Sequence, residues 1–95
     1  MRDFTRWTDD ELDAWLREQA APIGLELGIE ERPRPDGGAP TVWFAALKDM
    51  HVDPSLAPNG LALVGAEALS ERWAKNGLAQ LLDSLTDTEL RRLVR

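Results

Sequence analysis

Cysteine is absent from this chain of 95 residues. Disulfides, thiolate metal ligands and thiol nucleophiles are therefore excluded, and stability rests on packing. No apolar run approaches the roughly 18–20 residues that a bilayer-spanning helix needs. The opening MRDFTRWTDDEL turns acidic where a secretory signal carries its apolar stretch. A cytoplasmic protein without a membrane partner is the expectation.

Phosphate-binding loops are missing as well. The DGG at Asp36–Gly38 is flanked by prolines, and the NGL at Asn76–Leu78 reads as a helix end rather than a helix beginning, so nucleotide binding has no anchor. Histidine occurs once, at His51. It stands in DMHVD, where Asp49, His51 and Asp53 share one face of an extended segment and have the ingredients of a metal site or proton relay. Carboxylates would have to supply most of the ligands of a zinc ion. A serine triad would have to recruit Ser55, Ser70 or Ser84 with no nucleophile elbow around any of them. Asp53-Pro54 also opens a turn in its own right. The reading is a solvated strand end, with no catalytic residue, no metal and no cofactor.

What the chain does contain is one domain's worth of material, residues 1–95, whose folding hides roughly 60–65 % of the unfolded surface. Its 43 % hydrophobic and 29 % charged residues are those of an ordinary globular protein. Charge is uneven. Asp9, Asp10, Glu11, Asp13, Glu18, Glu26, Glu30 and Glu31 face the single basic Arg17 over residues 9–31, so this segment carries −7 against a formal charge of −6 for the whole chain. Such a field repels phosphate backbones and attracts basic protein surfaces, less so at high salt. Arg91, Arg92 and Arg95 gather at the C-terminal end, where a helix prefers cations, so direct nucleic-acid binding is not expected.

Two near-repeats, TDDEL at Thr8–Leu12 and TDTEL at Thr86–Leu90, follow one rule of helix initiation. Threonine and glutamate three residues apart form a capping box, with Trp7 and Leu12, or Leu85 and Leu90, spaced as hydrophobic staples. The first helix is predicted from Asp9 to Ala20, with Leu12, Trp15, Leu16 and Gln19 on one face and Pro22 and Gly24 ending it. GLELGIEER then alternates as a strand, and RPRPDGGAP is a turn or loop. TVWFAALKDMHV is a second strand, with Val42, Phe44, Ala46, Met50 and Val52 on one face and Trp43 and Leu47 on the other. It is apolar on both faces in its first half. Either another element covers Trp43 and Leu47, or they form an exposed patch that binds something. LALVGA is a third strand. Ala66–Lys75 is predicted as a helix closed by Asn76-Gly77 with Leu78 touching Trp73, followed by a short helix through Leu78, Leu81, Leu82 and Leu85 and a last one from Asp87 to Val94.

This order gives an α+β fold: an N-terminal helix, a three-stranded antiparallel meander, then two or three C-terminal helices packed on the sheet. The succession TVWFAALKDMHV and GLALVGAEAL resembles small phage-encoded proteins in which two strands precede a helix that begins with a Glu-Ala pair, here Glu67-Ala68. The resemblance implies an accessory protein of a mobile element.

The functional expectation is a non-enzymatic acidic binding protein, an inhibitor that engages the basic surface of a nucleic-acid-handling protein by imitating phosphates. Asp10 and Asp13 on the first helix and Glu26 and Glu30 on the first strand are the candidate carboxylates, combining into one surface. Trp43 and Leu47 are the candidate apolar contacts, tryptophan being enriched at binding hot spots. The alternative is a structural or assembly protein that self-associates, as a homodimer, through the apolar strand face of Trp43 and Leu47.

Overall fold

A three-stranded sheet with two helices on one face forms an α+β fold in the computed structural model, which describes residues 3–34, 36–37, 41–85, 89 and 92. The chain runs through a 3-10 turn at Phe4–Arg6, helix α1 (Asp9–Ala20), a second 3-10 turn at Ala21–Ile23, strands β1 (Glu26–Arg32), β2 (Val42–Asp49) and β3 (Leu61–Ala68), and helix α2 (Glu71–Asp83). The strands pair antiparallel in the order β1-β2-β3.

Helix α1 begins and ends at the residues predicted for it. The Thr8 side chain accepts from the Glu11 N–H at 3.1 Å and the Glu11 carboxylate accepts from the Thr8 N–H at 3.0 Å, which completes the capping box. The Thr8 N–H, with the Thr8 hydroxyl beside it, holds the Glu11 carboxyl below its ordinary value of 4.5. A carboxyl depressed in the folded state adds stability that is present above the unfolded value and lost as pH falls through the folded one. Denaturant unfolding across pH 5 to 2 is therefore expected to show a shallower acid decline for Glu11→Gln than for the wild type.

Phe4, absent from the predicted core, is fully buried. Its ring lies 4.9 Å from those of both Trp7 and Trp15, and these two meet edge-on at 6.3 Å, a geometry that favours aromatic pairs. Trp7 thus joins an aromatic cluster at the start of α1. Arg72 of α2 donates to the carbonyls of Thr5 and Trp7 and ties that cluster to the second helix.

The pairing register assigns the sheet faces. Leu27 lies opposite Leu47, Ile29 opposite Ala45 and Glu31 opposite Trp43, while Val64, Ala66 and Ala68 continue the same row in β3. This is the face that α2 covers, and Ala45 and Leu47 join Phe4, Leu12, Leu16, Leu78 and Leu82 in the core. The opposite face carries Glu26, Gly28 and Glu30 beside Phe44 and Lys48. There the Arg32 guanidinium stacks 4.1 Å over the Phe44 ring, and Gly65 leaves the room that ring occupies, since a Cβ at Gly65 would sit 2.6 Å from its edge. The β2–β3 register shifts at Leu47/Lys48, with Leu63 as the extra residue.

The second half of the chain departs from expectation. Glu67-Ala68 ends β3 instead of opening a helix, and Ser70 caps α2, accepting from the Trp73 N–H. Asn76-Gly77, read as a helix terminus, lies in the middle of α2. Asn76 is buried and its side-chain oxygen accepts from Gln80 one turn on at 2.7 Å. Gly77 serves close approach instead of a left-handed cap: a Cβ there would come within 3.2 Å of the Ala66 Cβ. The two helices predicted on either side of this pair are therefore one, which ends at Asp83. The last predicted helix, with its cap at Thr86 and staple to Leu90, lies outside the described residues except for Glu89 and Arg92. Strand β2 stops at Asp49, so Met50 and Val52 do not extend its face.

Candidate functional site

The eight acids of residues 9–31 divide by what each carboxylate holds. Glu11 closes the capping box. Asp9 pairs with Arg72 at 3.8 Å across α1 and α2. Asp13 accepts from the Lys75 ammonium at 3.0 Å, and Lys75 is only 3 % exposed. Glu30 pairs with Arg32 and, at 3.8 Å, with Lys48 on the open face of the sheet. Asp10, Glu18, Glu26 and Glu31 are exposed and form no hydrogen bond or ion pair with another described residue.

The expectation that Asp10, Asp13, Glu26 and Glu30 share one surface does not hold. Asp10 and Asp13 belong to the helix layer, whereas β-register sends Glu26 and Glu30 to the opposite face of the sheet. Asp13 fastens the two helices together and Glu30 anchors two cations, so both are structural. Helix α1 packs against β1 and α2 and thus lies along the β1 edge. Asp10 and Glu18 on α1 and Glu31 on the helix-covered face of β1 are exposed in this layer, and Glu26 is exposed on the opposite face of the same edge strand. Arg17 and Lys48 line a shallow cavity of about 280 Å³ with Glu26 and Asn59. Glu18 and Glu31 were the carboxylates that pattern reading passed over; their signal was exposure at an edge, which only topology supplies.

Leu47 is fully buried beneath α2. This corrects its assignment as a partner contact, and with it self-association through the face it shares with Trp43: that face is interior. Trp43 is half-buried, packed against the core between Glu31 and Ala68. Trp73, expected to touch Leu78 just past a helix end, is 58 % exposed. It joins Leu61, Leu69 and Leu81 as large apolar side chains left in solvent along the β3 side of the molecule.

Asp49, His51 and Asp53 spend their polarity locally. The Asp49 carboxylate accepts from the His51 N–H at 2.9 Å and that of Asp53 from the Ser55 N–H at 2.9 Å. The Ser55 N–H holds the Asp53 carboxyl below its ordinary value. The Asp53 carbonyl also receives the N–H groups of Leu56 and Ala57, which makes Asp53-Pro54 the turn start it was read as. Among the described residues no group of three or more acidic or histidine side chains is placed to hold a metal ion. No described helix is long and apolar enough to cross a membrane. Comparison with protein-family models, with curated proteins and with solved structures returned no match to this chain.

Proposed function

We propose that the protein is a non-enzymatic binding module whose acidic β1 flank docks on a basic surface of another protein, in the manner of a phage or mobile-element inhibitor of a nucleic-acid-handling protein. One observation carries this reading: Asp10, Glu18, Glu26 and Glu31, on α1 and the edge strand β1, stand exposed with no ion-pair partner among the described residues. Carboxylates already satisfied within a fold attract little. Free ones steer a cationic surface into contact and imitate the charge of phosphates.

Capture of a partner from host lysate, at low and high salt, tests it. Wild-type protein is expected to retain a specific partner at low salt and release it at high salt. The variant with Asp10, Glu18, Glu26 and Glu31 all changed to Lys is expected to lose it at both. A partner held equally by the two proteins would sink the electrostatic reading. The four positions are exposed, so the reversal leaves the core intact and its folding is checked by thermal melting.

A further inference from the structure

Strands β1 and β3 are the two edges of the sheet, and they are defended differently. Glu26, Glu30, Glu31 and Arg32 load β1 with charge, whereas Glu67 is the sole charged residue of β3. An edge strand offers a row of N–H and C=O groups that no neighbour in its own sheet takes, and charge or proline normally blunts it. The bulge at Leu63 interrupts the first half of β3. From Val64 to Ala68 the edge is regular, small and nearly uncharged.

Exposed apolar side chains line the same edge at both ends. Leu61 starts β3 and is 49 % exposed, while Leu69 just past its end is 66 % exposed. On α2 above, Gly77 lies over Ala66. Trp73 and Leu81 stand one helical turn to either side of Gly77, on the same line of the helix, so they flank the β3 side of α2.

We propose that β3 pairs antiparallel with β3 of a second copy about a two-fold axis at Ala66, joining two three-stranded sheets into one of six strands. That centre places Val64 opposite Ala68 and Gly65 opposite Glu67, so opposed residues share a face of the sheet, as pairing requires. Each Glu67 then meets a glycine and not another carboxylate. The axis is perpendicular to the sheet, which keeps both helix layers on one side. Because α2 packs on both β2 and β3, its axis lies inboard of the edge, and a strand spacing of about 4.8 Å sets the two α2 axes roughly 10 Å apart. Packed helices sit about 8–10 Å apart. Trp73 of each copy thereby meets Leu81 of the other, and Leu69 falls beside the Leu61–Leu63 end of the other strand. The acidic β1 flanks end up at opposite extremes of the sheet, five strand spacings or roughly 24 Å apart, beyond the screening length of about 8 Å in physiological salt.

Sedimentation equilibrium of the full chain over a wide concentration range, in low and high salt, tests the pairing. The wild type is expected to sediment as a dimer that persists in high salt, because the seam is backbone and apolar contact. Leu69→Lys with Trp73→Lys, both at exposed positions, is expected to weaken the dimer by more than about tenfold while leaving the thermal melt of the monomer in place. Hydrogen exchange of the β3 amides is expected to slow as concentration rises. A monomer at every concentration overturns the proposal, and so does a dimer indifferent to the double variant. Persistence in salt separates this seam from the acidic flank, whose binding salt abolishes.

Discussion

Leu47→Ala is expected to lower the unfolding free energy by about 3–5 kcal/mol, measured by denaturant unfolding with an unchanged slope. Leu47 is fully buried where β2 passes under α2, in contact with a core that reaches from Phe4 to Leu82. Truncating it removes the transfer free energy of its side chain and leaves a cavity that the sheet backbone on either side resists closing. The size of this effect discriminates between the two roles open to Leu47 on pattern alone. A residue of an exposed binding patch would change stability by no more than about 0.5 kcal/mol and would instead change an affinity.

Asp13 and Lys75 are expected to respond unequally to replacement. The ammonium of Lys75 is nearly sealed between α1 and α2, its side chain 4 % exposed, whereas Asp13 reaches solvent, its side chain 37 % exposed. Asp13→Ala strands a buried cation and is expected to cost about 3 kcal/mol. Lys75→Met leaves a carboxylate that water can solvate and puts an apolar chain in an apolar seam, so its cost is expected to stay within about 1 kcal/mol. Combining the two is expected to recover most of the loss caused by Asp13→Ala alone. Equal costs for the two single variants, adding in the double variant, would show that the ion pair does not couple the helices. The asymmetry also bears on function: charge reversal at Asp13 damages the fold and reports nothing about a partner.

Local signals carried the first half of the chain. The capping box at Thr8 and Glu11 placed α1, and alternation placed β1, because each depends on neighbours in sequence. The errors in the second half share one physical origin. Asn76-Gly77 carries the chemistry of a helix end, but tertiary packing decides it: Asn76 has a buried partner in Gln80 and Gly77 lets α2 close on Ala66. Glu67 and Ala68 favour helix locally, yet pairing with Phe44 and Trp43 holds them in the sheet.

The candidate surface was legible only as an excess of charge. Which carboxylates are free depends on long-range partners, Lys75 for Asp13 and Arg72 for Asp9, that no local pattern reveals. Trp43 and Leu47 stood out in sequence, but β2 is the central strand and is covered, while the plainer β3 lies at the edge.

The free β1 flank is the centre of this account, and the dependence of affinity on salt tests it most directly. Titration of the captured partner with wild-type protein, and with the variant carrying lysine at Asp10, Glu18, Glu26 and Glu31, is read across a series of salt concentrations. The account predicts an affinity for the wild type that falls steeply with salt, and for the variant a weak affinity that no longer falls. Two parallel curves of equal strength would contradict it and place the interface elsewhere on the molecule.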